Sequence, residues 1–570
     1  MEKRAPDVIT SMFSDFPGLL SNLLLFVGLF LLVRNLDPQK GWLRFALAGL
    51  AIFLNVRYFN WRLGTTMDPF LSSAESVWQW GFFVAELVAL CSLSWHLIVF
   101  IQRPRKPEEK GYRRLDPDGD CPSVDVFIAT YNEELEILRP TILGASAINY
   151  PNVNVYVLDD GERGWLEELC ADAGVHYVTR QDRSGFKSGN LNNALKQAKG
   201  DFIMCLDADF VVDPDILLET LGYFDDDAVG IVQTPQHFDN PDAIQLNLNG
   251  GQSWPEEQRI FTDVMQPCRD NWDNAFCYGT NFVVRRECID RIGGFPVESI
   301  CEDLLLTYKL KEHGWITRFH LAPLALGKAA DTLSTFITQR VRWCTGTLQC
   351  LFLKSGPIRS RGLSLLDRVF FFDTMGYYLS SIWFFFVLIA PAVFWWTGRA
   401  PFDSDNGHLL MMFAPRVLVS TLVLYWLTER KVMPVISELG RFVSVFHILR
   451  AIFVTLINPR GGVFKVTDKN LSRDRATINW QVATPHLVLL AVTLGGMAKT
   501  FLFGLPATNF ANENLGLILA LTTFYLWMTF LALLACVEPP FAADGSRSSL
   551  PATTGSFRKS FFSLARKVAQ

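Results

Sequence analysis

The sequence predicts an α-helical membrane protein with a soluble α/β domain in its middle, and three observations lead there. Apolar runs near the spanning length of about 20 residues lie toward both ends of the 570-residue chain and are absent from roughly Pro104 to Leu365. Charged residues make up only 19% and hydrophobic ones 50%, whereas ordinary soluble domains carry about 25% charge. The central segment alternates short β-rich runs with helical patterns, which implies a mainly parallel α/β sheet.

Seven spans are expected, near Pro17–Val33, Phe45–Phe59, Trp78–Ile101, Met375–Trp396, Leu409–Leu427, Leu487–Phe503 and Leu515–Cys536. Arg57 and Arg416 make the second and fifth the weakest. The chain then divides into an amino-terminal membrane region (1–103), a soluble domain (104–365), a second membrane region (366–540) with a loop near 458–475, and a basic tail (541–570). Basic clusters fall at Arg34, Lys40 and Arg44, at Arg103–Arg114, from Arg430 to Arg475, and at Arg558–Lys567. By the positive-inside rule they all share one side if the amino terminus is outside and the soluble domain faces the cytoplasm. The polar stretch Met1–Asp15 predicts no cleaved signal peptide.

A net charge of −5 excludes a generally basic nucleic-acid binder, so no nucleic-acid partner is expected. The eleven cysteines are odd in number and form no CxxC pair, which argues against a disulfide framework or a structural zinc site.

Within the central domain, Val124–Thr130, Val153–Leu158 and Phe202–Leu206 read as strands. In such sheets ligands bind at the carboxyl ends of the strands, where Asp159-Asp160-Gly161 and Asp207-Ala208-Asp209 sit. Two carboxylates one residue apart suit a hard divalent cation that also bridges phosphate oxygens, and such a cation would neutralise a departing diphosphate. Taken alone, that acidic pair is more often a solvated turn. Lys187-Ser188-Gly189-Asn190 opens a helix with an ammonium where a phosphate would lie, and Glu302-Asp303 begins another helix. Gln339-Arg340-Val341-Arg342-Trp343 offers a guanidinium for a diphosphate, an amide for a sugar and an indole face for a pyranose.

The ordered set Thr130-Tyr131-Asn132-Glu133, Asp159–Gly161, Lys187–Asn190, Asp207–Asp209, Glu302-Asp303 and Gln339–Trp343 resembles the processive family-2 glycosyltransferases, above all bacterial cellulose synthase catalytic subunits. Phe464-Lys465-Val466-Thr467-Asp468-Lys469 is similar to the gating loop of that family. The resemblance runs from about residue 50 to about residue 480.

It implies a GT-A-like, Rossmann-related domain that transfers glucose from UDP-glucose to a growing glucan with inversion and exports the polymer. Asp303 would be the catalytic base. Asp160 and Lys187 would contact the nucleotide, with Thr130, Tyr131 and Glu133 shaping its pocket. Asp207 and Asp209 would hold UDP and Mg²⁺ or Mn²⁺. Gln339, Arg342 and Trp343 would hold the diphosphate and the acceptor sugar, and Phe464, Val466 and Thr467 would close over the donor. The implied partners are UDP-glucose, the nascent glucan, the lipid bilayer and accessory periplasmic or membrane subunits; the implied location is the bacterial inner (plasma) membrane.

Several positions depart from the cellulose synthase pattern. Cys301 stands in place of Thr, Phe210 in place of His, and Asn470 in place of Gly. Tyr278 stands in place of a Cys that lines the acceptor site. Only 34 residues follow Cys536, too few for a PilZ barrel, so indifference to cyclic di-GMP is expected. Tyr278 tips the expected linkage toward a β-1,3-glucan, as in curdlan synthases, with cellulose as the alternative. A hyaluronan- or chitin-type synthase is a weaker alternative, and a polysaccharide transporter without catalysis is the reading outside the enzymes.

Overall fold

The computed structural model describes residues 24, 27–31, 33–67, 74–251, 253–401, 404, 406–433, 436–461, 475–504 and 515–540. Two compact units emerge. One comprises Met1–Arg103, Asp373–Arg450 and Ile478–Val537; the other comprises Pro104–Phe372, Ala451–Thr477 and Glu538–Gln570.

Seven described helices are long and apolar enough to cross a membrane: Gly41–Thr65, Glu75–Val99, Leu365–Thr397, Gly407–Leu427, Ile436–Ile457, Trp480–Phe503 and Ile518–Ala535. Six match expected spans, and three of them, Gly41–Thr65, Leu365–Thr397 and Trp480–Phe503, are extended by a turn or more. The expected span Pro17–Val33 lies largely outside the described residues. Ile436–Ile457 falls where the sequence reading had only a basic connection, because Glu438, Arg441, His447 and Arg450 interrupt its apolar run.

Arg416, which weakened one expected span, finds partners in the first unit. The Arg416 guanidinium lies 4.8 Å from the Tyr58 ring centroid and 5.5 Å from that of Phe413. Nearby, Arg62 Nε donates to Glu86 at 3.0 Å and the Tyr58 hydroxyl donates to the same carboxylate at 2.6 Å, all three side chains being buried. Charges at membrane depth persist when paired in this way inside a bundle.

The second unit is built on a seven-stranded sheet. Its strands are β1 (Val124–Thr130), β2 (Val153–Asp159), β3 (His176–Thr179), β4 (Phe202–Asp207), β6 (Val229–Gln233), β8 (Phe282–Arg285) and β9 (Ile316–Phe319), in the order β3-β2-β1-β4-β8-β6-β9. The short β5 (Val211–Val212), β7 (His237–Phe238) and β10 (Ala325–Gly327) form a separate three-stranded sheet. The central strands read as continuous apolar runs because both faces are covered: β1 and β4 are almost wholly buried. One core cluster gathers Val126, Ile128, Leu138, Val157, Met204 and Leu206, and a second gathers Phe127, Leu158, Leu191, Ile203 and Cys205, so alternate residues of β1 and β4 serve opposite faces.

The sheet is mainly parallel, as expected, with one reversed strand. β1 pairs in parallel with β2 and β4, β2 with β3, and β6 with β9, but β8 runs antiparallel between β4 and β6. That reversal brings the segment preceding β8 to the carboxyl end of β4.

Candidate active site

Strand register assembles the first part of the site. Thr130 at the end of β1 pairs with Asp159 at the end of β2, and Ala129 pairs with Asp207 at the end of β4. Motifs 80 residues apart therefore reach one sheet edge because parallel strands end together.

The β1 and β2 ends are tied by charged hydrogen bonds. Thr130 Oγ1 donates to Glu133 Oε2 at 2.6 Å, and the Tyr131 amide donates to the same oxygen at 2.9 Å. Arg163 donates from Nη2 to Asp159 Oδ1 and to Thr130 Oγ1, both at 2.8 Å. Asp159 is thus a structural anchor for the turn. Its neighbour Asp160 is gripped by a fork, with Arg180 Nε on Oδ1 at 2.7 Å and Arg180 Nη2 on Oδ2 at 2.8 Å.

Lys187, on the helix Phe186–Ala194, donates to both Asp207 Oδ1 and the Gly279 carbonyl at 2.5 Å. Burial alone would favour its neutral form, but the charges of Asp207 and Glu302 outweigh that and raise its pKa. The Asp207 amide donates to Thr280 Oγ1 at 2.9 Å. Gly279 and Thr280 lie just ahead of β8, separated from it by Asn281, so the entry to the antiparallel strand supplies these contacts.

Gly279 joins the donor side to the proposed base. Its φ of +105° favours glycine, and a Cβ there would stand 3.0 Å from Asp303 Oδ2. Asp303 is half-buried near the start of the helix Glu302–Lys311. Burial, and then the charge of Glu302, push its pKa up to about 7; the Leu304 amide, Lys187 and Arg342 partly offset them.

The helix Leu333–Gln349 presents the last motif. Gln339, Arg342 and Trp343, spaced three and four residues apart, share one face. Arg340 donates to Glu257 Oε2 at 2.6 Å, and its guanidinium covers the Phe336 ring and lies 5.9 Å from the Trp343 ring centroid. Gly346 lets this helix approach the segment before Asp303, since a Cβ there would overlap Cys301 Sγ. Ser299 Oγ donates to the Gly346 carbonyl at 3.0 Å, the Ile300 amide donates to Gln349 Oε1 at 3.2 Å, and Cys301 Sγ lies 3.7 Å from the Trp343 carbonyl it faces.

Two expected positions take a different aspect. The Tyr278 hydroxyl donates to the Thr234 carbonyl at 2.8 Å, and its ring packs 5.2 Å from that of Phe261. Phe210 is buried in the space Gly327 leaves, its ring standing where a Cβ would be. Phe464, Val466 and Thr467 lie outside the described residues. Sequence reasoning missed Arg163, Arg180, Gly279 and Gly346; only the glycines in short motifs gave a signal.

For the divalent cation, the described residues include no cluster of three or more His, Cys, Asp or Glu able to hold a metal unaided. Asp207 is partly exposed beside Lys187, and Asp209 is buried with Oδ2 3.4 Å from the Lys328 amide. Two carboxylates fit a cation that draws its other ligands from a diphosphate and water.

The family model described as glycosyltransferase-like family 2 matches residues 122–346, and the cellulose synthase model matches residues 285–433. Cellulose synthase 2 of Novacetimonas hansenii is 32% identical over 505 residues, covering 87% of this chain and 31% of that protein. The UDP-forming cellulose synthase catalytic subunit of Pseudomonas fluorescens is 33% identical over 455 residues, covering 79% of this chain and 61% of that one. The chain thus matches between about a third and three fifths of the length of these relatives. Among solved structures, the mannosyltransferase PcManGT of Pyrobaculum calidifontis aligns with a TM-score of 0.47 at 16% identity, over 67% of this chain and 99% of that one. Residues 122–346 thus carry a glycosyltransferase family 2 domain, and the chain is similar to cellulose synthase catalytic subunits.

Proposed function

We propose that the protein is a processive, inverting β-glucan synthase that uses UDP-glucose. The observation that carries this reading is the continuity of the site through Gly279: its carbonyl accepts from Lys187, and its bare Cα face admits Asp303. A donor held at Lys187 and Asp207 would therefore have a carboxylate of raised pKa beside it, with the Gln339–Arg342–Trp343 face anchored nearby.

Thr130, Tyr131 and Glu133 shape the nucleotide end, while Asp160 and Lys187 contact the nucleotide. Asp207 and Asp209 would hold Mg²⁺ or Mn²⁺, which would supply charge neutralisation to the departing diphosphate. Arg342 pairs with that diphosphate, and Gln339 and Trp343 seat the terminal glucose by hydrogen bonding and stacking. Asp303 takes the proton from the acceptor hydroxyl as that oxygen attacks the anomeric carbon.

We favour β-1,4 linkage over the β-1,3 product expected from Tyr278. The relatives bear the name of cellulose synthases, and the Tyr278 hydroxyl is committed to the Thr234 carbonyl, which weakens the argument that this side chain turns the acceptor.

Counting crossings supports the orientation expected from the basic clusters. Pro104–Phe372 and Ala451–Thr477 belong to one compact unit, so the chain between them crosses the membrane an even number of times. Of the three helices there, Ile436–Ile457 carries Glu438, Arg441, His447 and Arg450. We place it along the membrane surface and the sheet unit in the cytoplasm, with the protein in the inner membrane and accessory subunits as its partners for export.

The test is turnover with purified protein in nanodiscs. UDP-glucose should release UDP in step with polymer growth, and UDP-N-acetylglucosamine should not. Equal use of the amino sugar would move the assignment to a chitin- or hyaluronan-type synthase, and no UDP release would leave a transporter.

A further inference from the structure

Arg180 follows the last residue of β3, Thr179, and its side chain is only 7% exposed. Four of its five N–H donors are used. Besides the fork on Asp160, Nη1 donates to the Ser184 carbonyl and Nη2 to the Phe186 carbonyl, both at 2.8 Å. The loop wraps the guanidinium through two left-handed residues, Gly185 at φ +73° and Phe186 at φ +48°. Gly189 is required for the same reason, because a Cβ there would overlap the Ser184 carbonyl oxygen and press on Arg180 Nη1. Lys187 is the next residue in this wrapped segment.

We propose that Arg180 is a positioning residue that sets nucleobase selectivity, by fixing Asp160 as a hydrogen-bond acceptor toward the base. This rests on the reading of Asp160 and Lys187 as nucleotide contacts. A carboxylate taking both prongs of a guanidinium fork is oriented, yet keeps a lone pair on each oxygen for a further donor. Uracil presents a ring N3–H donor to such a group. Cytosine presents an N3 lone pair at the same place, so acceptor faces acceptor and its binding is opposed. A site built around one buried polar group discriminates strongly against an analogue that cannot satisfy it. Because Arg180 also holds the Ser184 and Phe186 carbonyls, the base-reading carboxylate and the Lys187 ammonium are set by one side chain.

The experiment is calorimetric titration of the full-length protein in nanodiscs with UDP and with CDP. Wild type should prefer UDP by at least tenfold. Arg180→Lys keeps a positive charge but loses the fork, and the UDP-to-CDP preference should fall about tenfold, roughly the worth of one hydrogen bond to a charged group. Asp160→Asn, which puts an amide donor within reach of cytosine N3, should lower the ratio as well. A solely structural role for Arg180 would weaken both nucleotides alike and leave the ratio intact, and that result would overturn the proposal. If Arg180→Lys does not fold, an unchanged ratio in Asp160→Asn overturns it instead. Failure of the wild type to bind UDP at all would count against the nucleotide site itself.

Discussion

Gly346 and Cys301 are packed so closely that no side chain fits at position 346: a Cβ would overlap the Cys301 sulfur. This junction fixes the Gln339–Trp343 helix against the segment that leads into Asp303. Its thiol is pushed far up in pKa by burial and then by Asp303 and Glu302, so Cys301 acts as a packing group and not as a nucleophile.

Gly346→Ala should therefore separate acceptor-binding residues from the base. Overpacking costs about 1–3 kcal/mol of stability. Turnover should drop roughly 10²-fold, as expected for a displacement of about 1 Å at a reacting centre. UDP affinity should weaken as well, because Arg342 on the same helix pairs with the diphosphate, but by less than turnover, so binding and turnover measured together check the placement.

Asp303→Asn should retain UDP binding while lowering kcat by roughly 10²–10⁴, the range for loss of a general base. Near-normal polymerisation by this variant would transfer the role to another carboxylate, with Glu302 the first to examine.

The pH profile should carry the same signature. A base works when deprotonated, and Asp303 is pushed up to about 7 by burial and the Glu302 charge. kcat/KM should thus fall as pH drops through about 7 and level off above it. Glu302→Gln removes a negative neighbour, lowers the Asp303 pKa and moves that acid limb to lower pH. A limb that stays in place would show that Glu302 does not act on the base.

Chelation tests the carboxylate pair. Excess EDTA should abolish synthesis, and Mg²⁺ or Mn²⁺ should restore it. Asp209→Asn should remove most turnover without lowering the unfolding temperature by more than a few degrees. Full activity in EDTA would remove the metal from Asp207 and Asp209.

Much of this arrangement was legible in the sequence because it is local. Apolar runs marked β1, β2 and β4, the last two ending in carboxylates, and spacing along one helix placed Gln339, Arg342 and Trp343 together. The antiparallel course of β8 was not legible, since Phe282–Arg285 reads like any short buried strand and its direction is decided by partners far away in sequence. Gly279 reaches Lys187 and Asp303 only as a consequence of that reversal. Arg180 gave no signal either, because an arginine beyond an edge strand resembles an ordinary exposed one until its four hydrogen bonds are seen. Ile436–Ile457 was hidden by its own charges, of which Arg441 pairs with Glu438 at 3.2 Å and covers the Tyr377 ring.

The most direct measurement is enzymatic digestion of the product made from UDP-glucose by the purified protein. The account predicts a polymer that endo-β-1,4-glucanase degrades and β-1,3-glucanase leaves intact, formed with one UDP released per glucose incorporated. A product cut only by β-1,3-glucanase would contradict the linkage, and a single glucose transferred to a lipid or other small acceptor would contradict processive synthesis.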